Sequence, residues 1–329
     1  TTPKRDPRCP ALLASAHSGS IPGAGFMPDV TLNLWSERAL LFVEGDLPAP
    51  AADAAREACR FEKEGHEYSE AWKRGKWDGY VELFRRNSSG KWFFPVGLLS
   101  KVTRIFDLHG VNYEIEGLTR PGRGQVEYAW PAEIDLREYQ ADAVSDALAS
   151  GSGIISMPTG GGKTLTGLRL IHELQHPALV MAHTTEIAEQ WVDRAASRLD
   201  ADVARAFGGD FETGGDLTVA LYQTLFQDGE VRDHPALDAP VAVFDETHVT
   251  GASSFYEVAM ASAAPYRFGL SATPERSDNQ TLRVVGGTGE LICDVQVEDL
   301  IRDGYLAEPE WRLLDAPKVD GRFRNWQSE

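Results

Sequence analysis

Gly153-Ile154-Ile155-Ser156-Met157-Pro158-Thr159-Gly160-Gly161-Gly162-Lys163-Thr164 reads as a buried strand that runs into a glycine loop and then into a helix opening on Lys-Thr. Three consecutive glycines let the backbone turn its N–H groups inward around a polyphosphate. The helix that follows directs the positive end of its dipole at the same anion. Pro158, Thr159, Gly160, Gly161 and Gly162 then form a cradle, Lys163 reaches the β- and γ-phosphates, and the Thr164 hydroxyl holds Mg2+. The pattern G-x-x-x-x-G-K-[ST] would place a glycine at Met157, so its first half is incomplete. A glycine-rich connection between strand and helix would also serve as a plain tight turn. The preceding strand, the Gly-Lys-Thr ending and the motifs further along favour a nucleotide site.

Around this stretch the chain alternates apolar runs with helical patterns. Further strand candidates are Ala178 to Ala182, Leu217 to Leu221, Val241 to Asp245 and Tyr266 to Leu270, with helices at Lys163 to Gln175 and Glu186 to Leu199. A helix also begins near Asp135, whose side chain would cap it with Glu138 three residues on, and ends at Gly151. Repeated strand-helix units with unbroken apolar strands predict an α/β fold with a parallel sheet covered on both faces. Ligands of such sheets sit at the carboxyl ends of the strands, where the loop from Pro158 to Gly162 falls.

Val241-Ala242-Val243-Phe244-Asp245-Glu246-Thr247-His248 places two carboxylates at the end of a hydrophobic strand. Alone, Asp-Glu after a strand is often a helix cap or a solvated turn. About 80 residues beyond a phosphate-binding loop it gains a chemical reading: Asp245 binds Mg2+ through its water shell and Glu246 polarises the attacking water. Gly269-Leu270-Ser271-Ala272-Thr273-Pro274-Glu275-Arg276 follows another buried strand, and its order after the other two elements gives it weight.

The series resembles the first motor domain of a superfamily 2 helicase, a RecA-like P-loop NTPase domain. Pro158 to Thr164 resembles motif I, Asp245 to His248 a DExH-type motif II with Thr247 in third place, and Ser271-Ala272-Thr273 motif III. Leu136-Arg137-Glu138-Tyr139-Gln140 is similar to the element upstream of motif I, which implies that Arg137 belongs to the nucleotide site and that Gln140 reads adenine. Ala182-His183-Thr184-Thr185-Glu186-Ile187-Ala188-Glu189-Gln190-Trp191 resembles motif Ia, implying backbone contacts to nucleic acid at Thr184 and Thr185. Thr218 to Leu225 resembles the next strand-contact motif, with Gln223 and Thr224. By the same resemblance His248, Ser271, Ala272 and Thr273 couple the nucleotide, ATP with Mg2+, to DNA. The Gly-Leu-Ser-Ala-Thr-Pro-Glu-Arg run and Asp299-Leu300-Ile301 with Gly304-Tyr305-Leu306 look most like the XPB-like and UvsW-like branch. The resemblance covers residues 134 to about 315.

Ahead of it, residues 29–119 alternate strand and helix signals and predict a small α+β domain. Thr31 to Trp35 and Leu40 to Val43 read as strands, Ala51 to Glu64 as a helix stopping at Gly65, and Tyr80 to Phe84 with Lys91 to Phe94 as a hairpin around Asn87-Ser88-Ser89-Gly90. Leu98 to Leu108 reads as a helix and Val111 to Ile115 as a closing strand. Lys73 to Lys91 holds six basic residues against two acidic ones, interleaved with Trp72, Trp77 and Tyr80 and followed by Trp92. Stacking faces beside phosphate-neutralising groups suit DNA, with Lys76, Trp77 and Arg85 as candidates; the same aromatics would also serve as the hairpin's core. Lys76-Trp77-Asp78-Gly79 and Phe94-Pro95-Val96-Gly97-Leu98-Leu99 are similar to the N-terminal domain of UvsW-like helicases, which implies engagement of duplex or branched DNA. Residues 1–28 read as a flexible tail, 120–133 as a linker, and 316–329 as the start of a connection to a second motor domain. In the family that second domain supplies an arginine finger that contributes roughly 10³-fold or more to turnover, so weak hydrolysis is expected of this chain without it.

At 329 residues the chain suits roughly two domains. No apolar run of about 18 residues is present, and Ala11-Leu12-Leu13-Ala14 is too short for a signal sequence, so the reading is cytoplasmic with no membrane partner. Cys9, Cys59 and Cys293 lie far apart and form neither a zinc ribbon nor a disulfide framework. The net charge of −18 argues against a nucleic-acid partner unless positive charge is concentrated locally, and it also fits a protein adapted to a salty cytoplasm. Three functions stay open: an ATP-dependent DNA helicase or translocase acting on duplex, branched or single-stranded DNA, a translocating subunit of a restriction system, and a DNA-binding ATP switch. RNA also stays open, because nothing in the sequence reads a 2′-hydroxyl.

Overall fold

The computed structural model describes residues 28–35, 39–122, 124, 126–247, 252–273 (side chains from 254) and 281–310. Residues 1–27 of the tail expected over 1–28, the connection at 316–329, His248 and Pro274 to Arg276 lie outside the described residues.

Strands Val203–Ala206, Leu217–Leu221, Ala178–Ala182, Val241–Asp245, Tyr266–Ser271, Ser152–Ser156 and Leu291–Asp294 lie side by side in that order, every neighbouring pair parallel. The four central strands are apolar because both of their faces are covered. Ile155, Val180 and Val243 enter one core with the helices Lys163–Leu174 and Thr185–Leu199; Ile154, Leu179, Met181 and Phe244 enter another with Phe255 and Val284 from the helices Ala252–Ala261 and Thr281–Thr288. The register sets Asp245 opposite Leu270 and Ser271 opposite Ser156, so three strands end level with one another. The predicted α/β architecture is therefore present. Two edge strands escape the sequence reading: Val203–Ala206 buries only alternate residues and Leu291–Asp294 buries none fully.

Four helices differ from expectation at their boundaries. Asp135 caps nothing: the helix spans Glu138–Ser150, and Gln140 Oε1 accepts from the backbone N–H of Arg137 at 3.0 Å, so the first turn is closed from within. The helices expected to run to Gln175 and from Glu186 occupy Lys163–Leu174 and Thr185–Leu199. The stretch from Ala51 to Glu64 divides, with a helix at Ala49–Ala58 and a strand at Arg60–Glu62 paired antiparallel with Tyr80–Glu82. Cys59 and Phe61 are both buried, a period of two that helical geometry cannot satisfy.

The front part is a five-stranded sheet ordered Arg85–Arg86, Trp92–Pro95, Leu40–Gly45, Val30–Trp35 and Tyr113–Glu116, antiparallel except for the last pair. Its hairpin turns at Asn87, whose Oδ1 accepts from the backbone N–H groups of Ser89 and Lys91 at 3.1 and 2.9 Å. The first hairpin strand is only Arg85–Arg86, because Tyr80–Glu82 is taken by the Arg60–Glu62 ribbon. The helices Ala49–Ala58 and Leu99–Leu108 share this sheet's core, against which Leu282 and Val285 of the larger part also pack. Ala39 N–H donates to Met260 O at 3.0 Å and Arg104 pairs with Glu290, so the two parts meet by packing and charge. The expected linker lies along the larger part: Arg120 donates to Ser150 O (2.6 Å), Ser152 Oγ (3.1 Å) and Pro265 O (3.3 Å).

Candidate nucleotide site

The loop after Ser152–Ser156 turns through Gly160 (φ +83°) and Gly162 (φ +91°), left-handed conformations that favour glycine. A Cβ on Gly162 would stand 2.2 Å from Gln140 Nε2, so the position also needs hydrogen for space. Gly161 N–H closes onto Pro158 O at 2.9 Å. Pro158 and Gly161 are buried, Thr159 and Gly160 exposed, and Thr164 half-buried in the first turn of the helix.

Lys163 Nζ lies 3.1 Å from Glu246 Oε1, with side chains only 10% and 18% exposed, and also donates to Met157 O at 3.4 Å. The glycine loop and the acidic doublet thus meet at one point, although about 80 residues separate them. Glu246 sits at φ +49°, a left-handed backbone that costs a non-glycine residue roughly 1–2 kcal/mol. Asp245 is buried at the strand end, its Oδ1 accepting from Glu246 N–H at 2.9 Å and its Oδ2 from Trp191 Nε1 at 2.7 Å. Burial above all raises the Asp245 pKa from its ordinary value; the Trp191 hydrogen bond and the Lys163 cation oppose that rise, and Glu246 adds to it.

Motif III lies against this pair. Met157 N–H donates to Ser271 O at 2.9 Å, Ser271 Oγ donates to Thr273 O at 2.8 Å, and Thr247 N–H reaches Leu270 O at 3.3 Å. Ala272 is half-buried and Thr273 exposed.

Gln140 is 4% exposed; its Oε1 serves Arg137 and its Nε2 donates to Gly161 O at 2.9 Å, alongside Tyr139 Oη at 2.8 Å. The amide is aimed at the loop, which places Gln140 as a strut between helix and cradle. Arg137 lies with its guanidinium 4.6 Å from the Tyr305 ring and donates to Tyr139 Oη at 3.1 Å; Tyr139 and Tyr305 meet edge-on at 5.4 Å. Tyr139, Tyr305 and Trp191 lie within the sequence motifs, but no role follows for them from the motifs alone. The signal for Trp191 is an indole N–H on an apolar helix face, which in a core must find an acceptor.

Thr184 caps the helix Thr185–Leu199 through Ile187 N–H at 3.4 Å, and Gln223 Nε2 donates to His183 O at 3.2 Å, so Thr184, exposed Thr185, Gln223 and half-buried Thr224 share one edge of the sheet. Lys76, Trp77 and Arg85 belong to the front part instead. Lys76 is exposed, Trp77 Nε1 donates to Tyr80 O at 2.7 Å, and the Arg85 guanidinium lies 5.1 Å from the Phe93 ring. Trp92 packs against the core of the front part, with Phe84 stacked on it at 5.0 Å and Arg86 over it at 4.5 Å.

A parallel sheet with a glycine loop, a Lys-Thr helix start and an acidic doublet converging at its carboxyl edge defines a RecA-like P-loop nucleotide-binding domain. Residues 133–276 match the model of the family described as "Type III restriction enzyme, res subunit". The chain is 33% identical over 182 residues to "DNA 3'-5' translocase XPB2" of Sulfurisphaera tokodaii, covering 55% of this chain and 40% of that protein. It is 25% identical over 280 residues to "ATP-dependent DNA helicase uvsW" of Enterobacteria phage T4, covering 77% and 54%. The crystal structure of the UvsW helicase from bacteriophage T4 superposes with a TM-score of 0.64 at 19% identity, over 80% of this chain and 99% of that one, a likeness of fold. Over its motor part the chain is similar to the superfamily 2 helicases. It spans about half or less of the length of these two curated relatives.

Proposed function

We propose that this chain is the ATP-binding part of a DNA helicase or translocase that couples nucleotide turnover to movement on, or remodelling of, duplex or branched DNA. The observation that carries the reading is the 3.1 Å approach of Lys163 to Glu246 at the end of three level strands. The donors fit Mg2+: a carboxylate at Asp245 and a hydroxyl at Thr164 are hard oxygen ligands, few in number, of the kind this ion takes beside phosphate. Bound MgATP would supply a polarised γ-phosphoryl group. The chain's own residues then divide the work: Lys163 exchanges Glu246 for phosphate oxygen, and Glu246 Oε1, released, takes a proton from the attacking water. Ser271 and Thr273, bonded to each other and to the loop strand, transmit the change, as would His248. Arg137 and Tyr305 flank the cradle and offer a face for the base.

DNA would run along the edge formed by Thr184, Thr185, Gln223 and Thr224, with Lys76, Trp77 and Arg85 gripping a second stretch. A division at 29–119 and 134–315 is supported by separate cores, and a second RecA-like lobe in the longer protein is the partner the family implies. A cytoplasmic setting follows from work on DNA; no helix among the described residues is long and apolar enough to cross a membrane. The −18 charge supports a salt-adapted surface. A restriction translocase subunit is the second reading, favoured by the description of the matching family; a nuclease motif in the longer protein would decide for it.

The test is ATP hydrolysis with and without branched DNA, for this chain and for Lys163→Ala and Glu246→Gln. Both variants should lose turnover, and hydrolysis unchanged in both rejects the assignment.

A further inference from the structure

We propose that Trp191 is a positioning residue that holds the Asp245 carboxylate in place for Mg2+ and ties it to the helix bearing Thr184 and Thr185; the inference rests on the nucleotide-site reading above. Trp191 is fully buried, and its Nε1–H donates to Asp245 Oδ2 at 2.7 Å. Glu246 N–H holds Oδ1 at 2.9 Å, so both oxygens are pinned and the carboxylate plane is fixed before any cation arrives. A neutral donor suits this place. A buried cation there would compete for the carboxylate's charge, whereas an indole orients it and leaves the charge available to the metal.

The indole is itself wedged. A Cβ on Gly167, one turn into the helix that begins at Lys163, would stand 2.7 Å from Trp191 Cη2 and 3.1 Å from Leu270 Cδ1. The missing side chain at Gly167 is what lets the ring pass between the phosphate-loop helix and the strand of motif III. Trp191 therefore bonds to motif II and packs against the motif I helix, in one core with Leu270 of the motif III strand, from the one helix whose N-cap is Thr184. Seven residues of helix, about 10 Å, separate Thr184 from Trp191. A rigid helix carries any shift at its capped end to the indole, and through a single hydrogen bond to the carboxylate. This gives the coupling between strand contact and metal site a physical route besides Ser271 and Thr273.

Trp191→Phe keeps most of the buried area and removes the donor. Loss of an outer hydrogen bond to a metal ligand typically lowers metal affinity 10–100-fold. The experiment titrates Mg2+ into the full chain with a fluorescent ADP analogue and follows nucleotide binding at equilibrium. For Trp191→Phe the Mg2+ midpoint should rise about 10-fold or more, while affinity for the analogue without Mg2+ stays within about 2-fold. A purely structural role would weaken both alike. Gly167→Ala, which crowds the ring but keeps the donor, should move the Mg2+ midpoint in the same direction and serves if Trp191→Phe does not fold. An unchanged midpoint in a folded Trp191→Phe, or in Gly167→Ala where Trp191→Phe does not fold, overturns the inference and leaves the nucleotide site standing. Wild-type chain that binds no analogue at any Mg2+ concentration overturns the site reading and this inference with it.

Discussion

A double-mutant cycle on Lys163 and Glu246 measures whether the phosphate loop and the acidic doublet share a site in solution. Lys163→Met keeps the stem and removes the cation beside a carboxylate only 18% exposed. Breaking a buried pair from one side costs about 3–5 kcal/mol, and the partly open site puts this case near the low end, about 3 kcal/mol. Glu246→Gln keeps an acceptor for the Lys163 ammonium and should cost about 1–2 kcal/mol. The double variant leaves neither charge behind and should lose only about 2 kcal/mol. The cycle then closes with a coupling of roughly 2–3 kcal/mol, at the upper end of the 0.5–3 kcal/mol seen for residues in contact. Urea unfolding of the full chain without nucleotide reads each value; in a thermal melt about 3 kcal/mol is roughly 6–12 °C for a domain of this size. Single effects that add to the double within about 0.5 kcal/mol would mean the two side chains do not touch, and the shared site would go with them.

Tyr305→Ala removes the ring that the Arg137 guanidinium covers at 4.6 Å, a contact of about 0.5–1 kcal/mol. ATP affinity should fall about 2–5-fold with inorganic triphosphate binding unchanged, and equal losses for both would refute a role at the base. Burial pushes the Cys59 thiol up to about 11 from 9.0. The folded chain thus keeps a proton that the unfolded chain releases between those values, and the stability tied to the neutral thiol is complete below pH 9 and lost as pH rises to about 11. Two units correspond to roughly 2–3 kcal/mol. The stability difference between wild type and Cys59→Ala should shrink by that order between pH 8 and pH 10.5, and a difference constant with pH would refute it.

The sequence disclosed those elements whose physics is local. Ala178–Ala182 and Val241–Asp245 are buried on every residue, so an unbroken apolar run was enough to name them. Val203–Ala206, at a sheet edge, alternates, and four residues of alternation do not stand out from a loop. The Ala51 to Glu64 stretch failed for a related reason: alanines favour helix up to Ala58, and only the distant partner Val81 shows that Phe61 belongs to a strand. At the site, Lys163 and Glu246 could be paired because each ends or begins an element of known direction. Trp191 with Asp245, and Arg137 with Tyr305, could not. Those contacts join side chains across elements whose packing follows from the whole sheet, and neither spacing nor composition encodes them.

Net charge, too, is set by the whole surface while contacts are local. A net −18 weighed against nucleic acid, yet net charge is a property of the whole surface and binding depends on a few places. The front part holds two exposed cations beside rings, Arg85 over Phe93 at 5.1 Å and Arg86 over Trp92 at 4.5 Å. A guanidinium held on an aromatic face keeps its in-plane N–H donors directed outward, where phosphate can be met, and loses less side-chain freedom in doing so. At the edge of the larger sheet the groups in question are neutral, Thr184 and Thr185 at a helix N-terminus and Gln223 in the short helix Tyr222–Leu225. Contacts of that kind place a backbone by hydrogen bonds and need little positive charge. On the proposed reading, an acidic chain meets DNA at two places, by stacked arginines in front and by neutral donors on the motor, and a net charge of −18 is no obstacle to either.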